Sequence, residues 1–143
     1  MNQEKLLAQR QWVRDQLANV ADFWLKNGMD AEHGGIYTCL DRKGKIYSTD
    51  KSVWMQGCCG WTYAYLCHVY GVKDEWLAAS KSCIDFLEKY CVNHDAGGRL
   101  YFTVTGDGKP TQPACKGSTF KGPFHVPRCL IQVEQMMTQI LGE

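Results

Sequence analysis

Ser52-Val-Trp-Met-Gln-Gly-Cys-Cys-Gly-Trp-Thr-Tyr-Ala-Tyr-Leu-Cys-His-Val-Tyr-Gly-Val72 runs for 21 residues without one Asp, Glu, Lys or Arg. A stretch of this length prompts the question of a membrane span. Gln56, Thr62, His68 and the glycines at 57, 60 and 71 make it a poor one, because lipid offers their polar groups no partners. The alternative is an inner helix, buried nearly all round by other helices. That choice makes the flanking segments the covering elements and sets the fold class.

Those flanks read as amphipathic helices. Upstream, residues 3–26 place Val13, Leu17, Val20 and Trp24 on one face, and Asn27-Gly28 stops the helix. Downstream, a helix is expected from Asp74, as N-cap, to Cys91. Its inward stripe is Trp76, Ser80, Cys83, Leu87 and Tyr90, widened by Ile84 and Cys91. A last helix is expected over 126–141, with Pro127 in its first turn and Leu130, Val133, Met137 and Ile140 facing in.

Two β-hairpins lie between these helices. One runs from Gly35 through the turn Asp41-Arg-Lys-Gly44 to Tyr47, the other from Gly98 through Gly106-Asp-Gly108 to Pro110. They resemble each other, and their Gly-Gly pairs, Gly34-Gly35 and Gly97-Gly98, are 63 residues apart. The organisation is therefore an internal repeat of outer helix, hairpin and inner helix, as in a helical toroid. The expected architecture is a single domain over 1–143, mainly α. Residues 1–110 form the N-terminal αα units, and residues 111–143 hold a C-terminal motif and the last helix.

Sixteen Lys and Arg against fifteen Asp and Glu give a net charge of +1, too little basic excess for a nucleic-acid partner or an anionic membrane surface. The opening MNQEKLLAQRQW is polar where an export signal is apolar, so the expected location is the cytoplasm. The eight cysteines then read as reduced and mostly buried. No Cys-x-x-Cys pair, Walker loop, GxSxG elbow or GxGxxG turn occurs, so neither a metal nor a cofactor is expected.

Loops that enter inner helices gather at one mouth of a toroid. Val53–Trp61 and Phe120–Arg128 occupy that position and mix aromatics, glycines and polar groups. Such mixtures suit a sugar, whose ring stacks on aromatic faces while its hydroxyls take polar partners. His125, stiffened between Pro123 and Pro127, is the candidate acid–base residue, with Arg128 able to hold an oxyanion or a hydroxyl. A histidine satisfied at a helix cap is the alternative there. Among the other histidines, His33 reads as a turn residue, His68 as packing on the buried helix, and His94 as solvated.

At these residues the chain resembles the N-acylglucosamine 2-epimerase family, also known as renin-binding proteins. The resemblance rests on Phe23-Trp24, Asp30-x-x-x-Gly34-Gly35, Asp50-Lys51-x-x-Trp54-x-Gln56-Gly57, Trp61-x-Tyr63, Gly97-Gly98-x-x-Tyr101-Phe102 and Lys121-Gly-Pro-Phe-His-Val-Pro-Arg128. It implies an arc of an (α/α)6 barrel and interconversion of N-acetylglucosamine and N-acetylmannosamine through the C2 proton of the open-chain sugar. Relatives that epimerise cellobiose or isomerise mannose share the barrel. Under the resemblance His125 is catalytic, while Arg128, Trp54, Gln56, Trp61 and Lys121 bind substrate. The implied partner is an amino sugar or aldose, and exposed edges of the arc imply a homo-oligomer.

Two departures stand out. The family pattern Trp-x-Gln-Gly-Arg has Cys58 at its last position, and a thiol lacks the fixed charge and forked donors of a guanidinium. The family chain also continues through several helical hairpins after Pro110 before reaching the Lys121 motif, and carries a second catalytic His and an acidic residue there. Six units at the 63-residue spacing need about 380 residues, and 143 residues supply about 2.3. A non-catalytic remnant or carbohydrate-binding module of the same fold is therefore the competing expectation.

Overall fold

The computed structural model describes residues 3–94, 99–100 and 103–111. The expected helix over 126–141, and Lys121, His125 and Arg128 before or within it, lie outside the described residues.

Helix α1 spans Gln3–Asn27, as the sequence predicts. Its stop is physical: Gly28 N–H returns to Trp24 O at 2.9 Å, and a Cβ at Gly28 would lie 2.9 Å from that same oxygen. The buried face differs from the expected one. Ala21 enters the core with Leu17 and Leu25 beside it, while Val20 is 55% exposed. The small Ala21 side chain lets α1 approach the next helix closely enough for Tyr63 Oη to donate to Ala21 O at 2.8 Å.

The first hairpin forms in shortened form. Strand β1, Cys39–Leu40, pairs antiparallel with β2, Ile46–Ser48, through a bulge. Asp41 builds the turn, its Oδ1 accepting from the N–H groups of Lys43 at 2.8 Å and Lys45 at 2.9 Å. Strand β3, Lys51–Ser52, then leads directly into α2, Val53–Tyr70, which Ser52 caps by accepting from Met55 N–H.

Helix α2 is not buried all round. Val53, Gln56, Gly57, Gly60, Tyr63, Ala64, Leu66 and Cys67 are covered, whereas Thr62, Tyr65, His68, Val69 and Tyr70 are exposed. Its covered side packs on α3, Asp74–Phe86. Gly60 permits the contact: a Cβ there would lie 3.1 Å from Ile84 Cδ1, and Ser80 Oγ donates to Gly60 O at 2.8 Å. The N-cap of α3 is Lys73 rather than Asp74, because Lys73 O already accepts from Trp76 and Leu77 N–H. Asp74 sits one residue inside, where a carboxylate still favours the positive helix end. The expected stripe of Trp76, Ser80, Cys83 and Leu87 is buried, and Tyr90 is partly buried. The last turn, Leu87–Cys91, widens to a π-helix.

The second hairpin divides its pairing. Strand β4, Val92–Asn93, takes β5, Arg99–Leu100, while β6, Thr103–Val104, crosses back to pair antiparallel with β3. The turn at Gly106 is closed by the bridge of Val104 with Pro110 and by Thr105 N–H on Lys109 O at 2.8 Å. A second apolar cluster, Val53, Phe86, Leu87, Cys91 and Val104, forms beneath this crossing. Among the described residues no helix is long and apolar enough to cross a membrane. Their six cysteines are free; Cys67, Cys83 and Cys91 are buried, and Cys39, Cys58 and Cys59 partly so.

Candidate functional site

The entry to α2 is held by a buried ion pair. Lys51 has no exposed surface; its Nζ lies 2.6 Å from Asp30 Oδ2 and 2.7 Å from Gly34 O. Gly106 O is a longer third acceptor at 3.4 Å, and the Phe86 and Tyr37 rings lie 4.2 and 4.8 Å away. One ammonium thus ties the Gly34-Gly35 loop, β3 and the second hairpin together. Burial by itself would raise the Asp30 carboxyl, but hydrogen bonds from Lys51, Tyr37 and the His33 and Glu32 N–H groups outweigh it and hold the pKa at about 2. Tyr37 moves the other way, pushed up to about 12 by burial and by its bond to Asp30.

Gln56 completes this support. It is fully buried; its Oε1 accepts from Ile36 N–H and its Nε2 donates to Ile36 O, both at 2.7 Å. Gly35 makes room for it. At φ +74°, a Cβ there would stand 2.5 Å from Gln56 Oε1 and 2.9 Å from Phe86 Cγ.

The opposite side of α2 is open. Trp54, Cys58, Trp61, Tyr65 and His68 step by four, three, four and three, which puts them on one face. Each is at least partly exposed. Trp61 stacks on Tyr65 with ring centroids 5.0 Å apart and planes 12° apart, and Tyr65 stacks on His68 at 6.1 Å. Trp61 Nε1 is buried with no hydrogen-bond partner among the described residues. Trp61, Tyr65 and His68 thus form an aromatic ledge, with Cys58 and Trp54 on the same face toward the start of the helix. Burial, then the neighbouring Cys59, raises the Cys58 thiol above its ordinary pKa, so it stays neutral at pH 7.

The structure therefore brings Trp54 and Trp61 together on one face of α2 and turns Gln56 away from it, toward Ile36. Lys121, His125 and Arg128 lie outside the described residues. Two ledge residues, Tyr65 and His68, were missed by the sequence argument. His68 is exposed on Tyr65 rather than packed, and the spacing from Trp54 was the signal that pointed to it. Among the described residues no group of three or more His, Cys, Asp or Glu side chains is placed to hold a metal ion.

A sequence model of N-acylglucosamine 2-epimerases matches residues 4–118, a span that includes Trp54, Gln56 and Trp61 and stops short of Lys121. Human N-acylglucosamine 2-epimerase is 35% identical over 114 residues, covering 76% of this chain and 26% of the human protein. The rat protein is 36% identical over the same shares. The chain thus spans about a quarter of the length of the curated relatives it matches. Among solved structures, a sugar epimerase from a ruminal bacterium superposes with a TM-score of 0.72 at 24% identity, over 93% of this chain and 32% of that one. A D-mannose isomerase gives 0.67 at 19% identity, over 80% and 28%. These likenesses show the fold: an arc of an (α/α)6 barrel, mainly helical, with short β-hairpins.

Proposed function

The chain belongs to the N-acylglucosamine 2-epimerase family, a family of sugar epimerases and isomerases, and on that premise we propose that it is a shortened amino-sugar 2-epimerase. The substrate is N-acetylmannosamine or N-acetylglucosamine in its open-chain form. The observation that carries this reading is the aromatic ledge of α2, where the partly buried Trp61 stacks on the exposed Tyr65. A sugar presents apolar C–H surface that packs against exposed aromatic rings of this kind.

In this reading Trp54, Trp61 and Tyr65 seat the sugar, and Lys121 and Arg128 hold its oxygens. His125 takes the proton from C2, and the C–H electrons pass into the C1–C2 enolate. A proton from solvent reaches the opposite face to give the epimer, while His125 gives its own proton back to solvent. Gln56 belongs to the site through Ile36, keeping the Gly35 loop against α2. The protein works in the cytoplasm with its cysteines reduced, and copies associate to cover the open edges of the arc. The family segment between the second hairpin and the Lys121 motif is absent, and with it the second proton donor, so turnover is slow.

Incubation with N-acetylmannosamine, followed by NMR, tests the proposal: the N-acetylglucosamine anomeric signal grows. No conversion at high protein concentration overturns the catalytic reading. Cys58 favours a second one, a carbohydrate-binding module without turnover, since a neutral thiol stands where the family has Arg. The variant Cys58→Arg separates the two. An epimerase gains at least about tenfold in kcat/KM, ~1.4 kcal/mol of transition-state stabilisation. A binding module shows sugar-dependent tryptophan fluorescence and no product with either residue.

A further inference from the structure

A cavity of about 410 Å³ opens where α1, the end of α2 and the start of α3 meet, a volume within the range of small-molecule sites. It shares no residue with the aromatic ledge. Leu17, Ala18 and Ala21 of α1 and Leu66 of α2 form its apolar wall, joined by the buried Trp76 of α3. Its polar lining is Arg14 and Asp22 of α1, Tyr70 of α2 and Lys73 at the N-cap of α3. The Lys73 ammonium lies over the Trp76 ring, 4.1 Å from its centroid. Among the described residues, no ion pair occupies Arg14, Asp22 or Lys73.

These charges stand at opposite ends of the cavity. Ile36 bridges Met29, just past α1, and is hydrogen-bonded twice by Gln56, near the start of α2. Tyr63, seven residues after Gln56, donates to the carbonyl of Ala21, eight residues before Met29. Helix α2 therefore runs antiparallel to α1. Seven residues further along α2, Tyr70 comes level with Arg14, which lies seven before Ala21. Cys67 Sγ reaches Lys73 O at 3.9 Å, which places Lys73 at this end as well. Asp22, eight residues and about 12 Å from Arg14 along the axis, marks the other end. The apolar wall fills the distance between them.

We propose that this cavity binds an ω-amino carboxylate, a zwitterion whose two charges stand at the ends of an apolar chain. Its carboxylate meets the Arg14 guanidinium, which presents paired donors, and the Lys73 ammonium. Its methylene groups lie against Leu17, Ala18, Ala21, Leu66 and Trp76, where burial of apolar surface favours binding. Its ammonium meets Asp22. An α-amino acid carries both charges on one carbon and cannot reach both ends. A phosphate ester gains at the cationic end but brings a dianion toward Asp22 and leaves that carboxylate unmatched. Because Arg14, Asp22 and Lys73 are exposed to solvent, each ion pair is modest, and affinity falls as salt is added.

Calorimetric titration of the full chain with 6-aminohexanoate tests the site. Norleucine, its isomer, is the control that keeps the same atoms but brings the charges together. The wild-type chain binds 6-aminohexanoate about fivefold more tightly than norleucine, hexanoate or hexylamine, the scale of one exposed ion pair. Asp22→Asn brings hexanoate level with 6-aminohexanoate, and Arg14→Gln combined with Lys73→Gln does the same for hexylamine. Far-UV circular dichroism verifies that both variants keep their helices. In NMR spectra the Trp76 indole signal, identified by its absence in Trp76→Phe, shifts as 6-aminohexanoate is added. Equal affinity for the two isomers, a preference that survives in both variants, or a Trp76 signal that stays in place overturns the proposal.

Discussion

Lys51 carries its ammonium to a place with no exposed surface and meets Asp30 at 2.6 Å. Such a pair tolerates the loss of one partner badly, because the survivor is a buried charge without compensation. Asp30→Ala is expected to cost about 3–5 kcal/mol, read as a lower urea midpoint at unchanged slope. A loss below about 1 kcal/mol would show that Gly34 O and the two aromatic rings suffice for the ammonium. The same carboxylate sets an acid limit. Its folded pKa of about 2 lies below the unfolded 3.8, so its contribution is fully present above about pH 4 and fades as pH falls toward 2. The shift corresponds to roughly 2 kcal/mol. Stability measured between pH 5 and 2 should therefore fall more steeply in wild type than in Asp30→Asn, and parallel curves would contradict this.

Helices α2 and α3 touch where side chains are smallest. Gly60 carries the closest approach, with Ile84 on one side and the Ser80 hydroxyl on its own carbonyl. Gly60→Val inserts a branched side chain into that contact and is expected to cost about 1–3 kcal/mol through forced rotamers and helix separation. Thermal unfolding followed at 222 nm measures it; an unchanged Tm would mean that α3 moves away freely. Sequence periodicity found both helices but not this interface, since a glycine has no hydropathy signal that distinguishes close approach from a turn. The hairpins show the same limit. Asp41 and Gly44 announced the first turn through local chemistry, whereas the exchange of β6 onto β3 pairs Lys51 with Val104 and Ser52 with Thr103, more than 50 positions apart.

At the level of the whole chain, the surface records what an arc leaves open. Leu7 is 50% exposed and Trp12 is 63% exposed on the first half of α1, and Tyr65, Val69 and Tyr70 are exposed on α2. Apolar surface of this extent favours association. Sedimentation velocity over a hundredfold concentration range should show a rising weight-average mass, reduced by Trp12→Ser. A single monomeric species at every concentration would contradict self-association through α1.

The uncharged run from Ser52 to Val72, the glycine stops and the repeated hairpins were legible from residue order. They depend on contacts within a few residues: helical periodicity, a turn that needs positive φ, an Asp side chain closing its own loop. The matching residues also pointed to the family. Residue order did not show which way each side chain of α2 faces. An uncharged helix has no polar face to mark its outside, so the packing of α3 on Gly60 and of Ile36 on Gln56 decides that Trp54, Trp61, Tyr65 and His68 look outward. The pairing of Lys51 with Asp30 was likewise decided by tertiary structure, because burial and proximity exist only once distant segments meet.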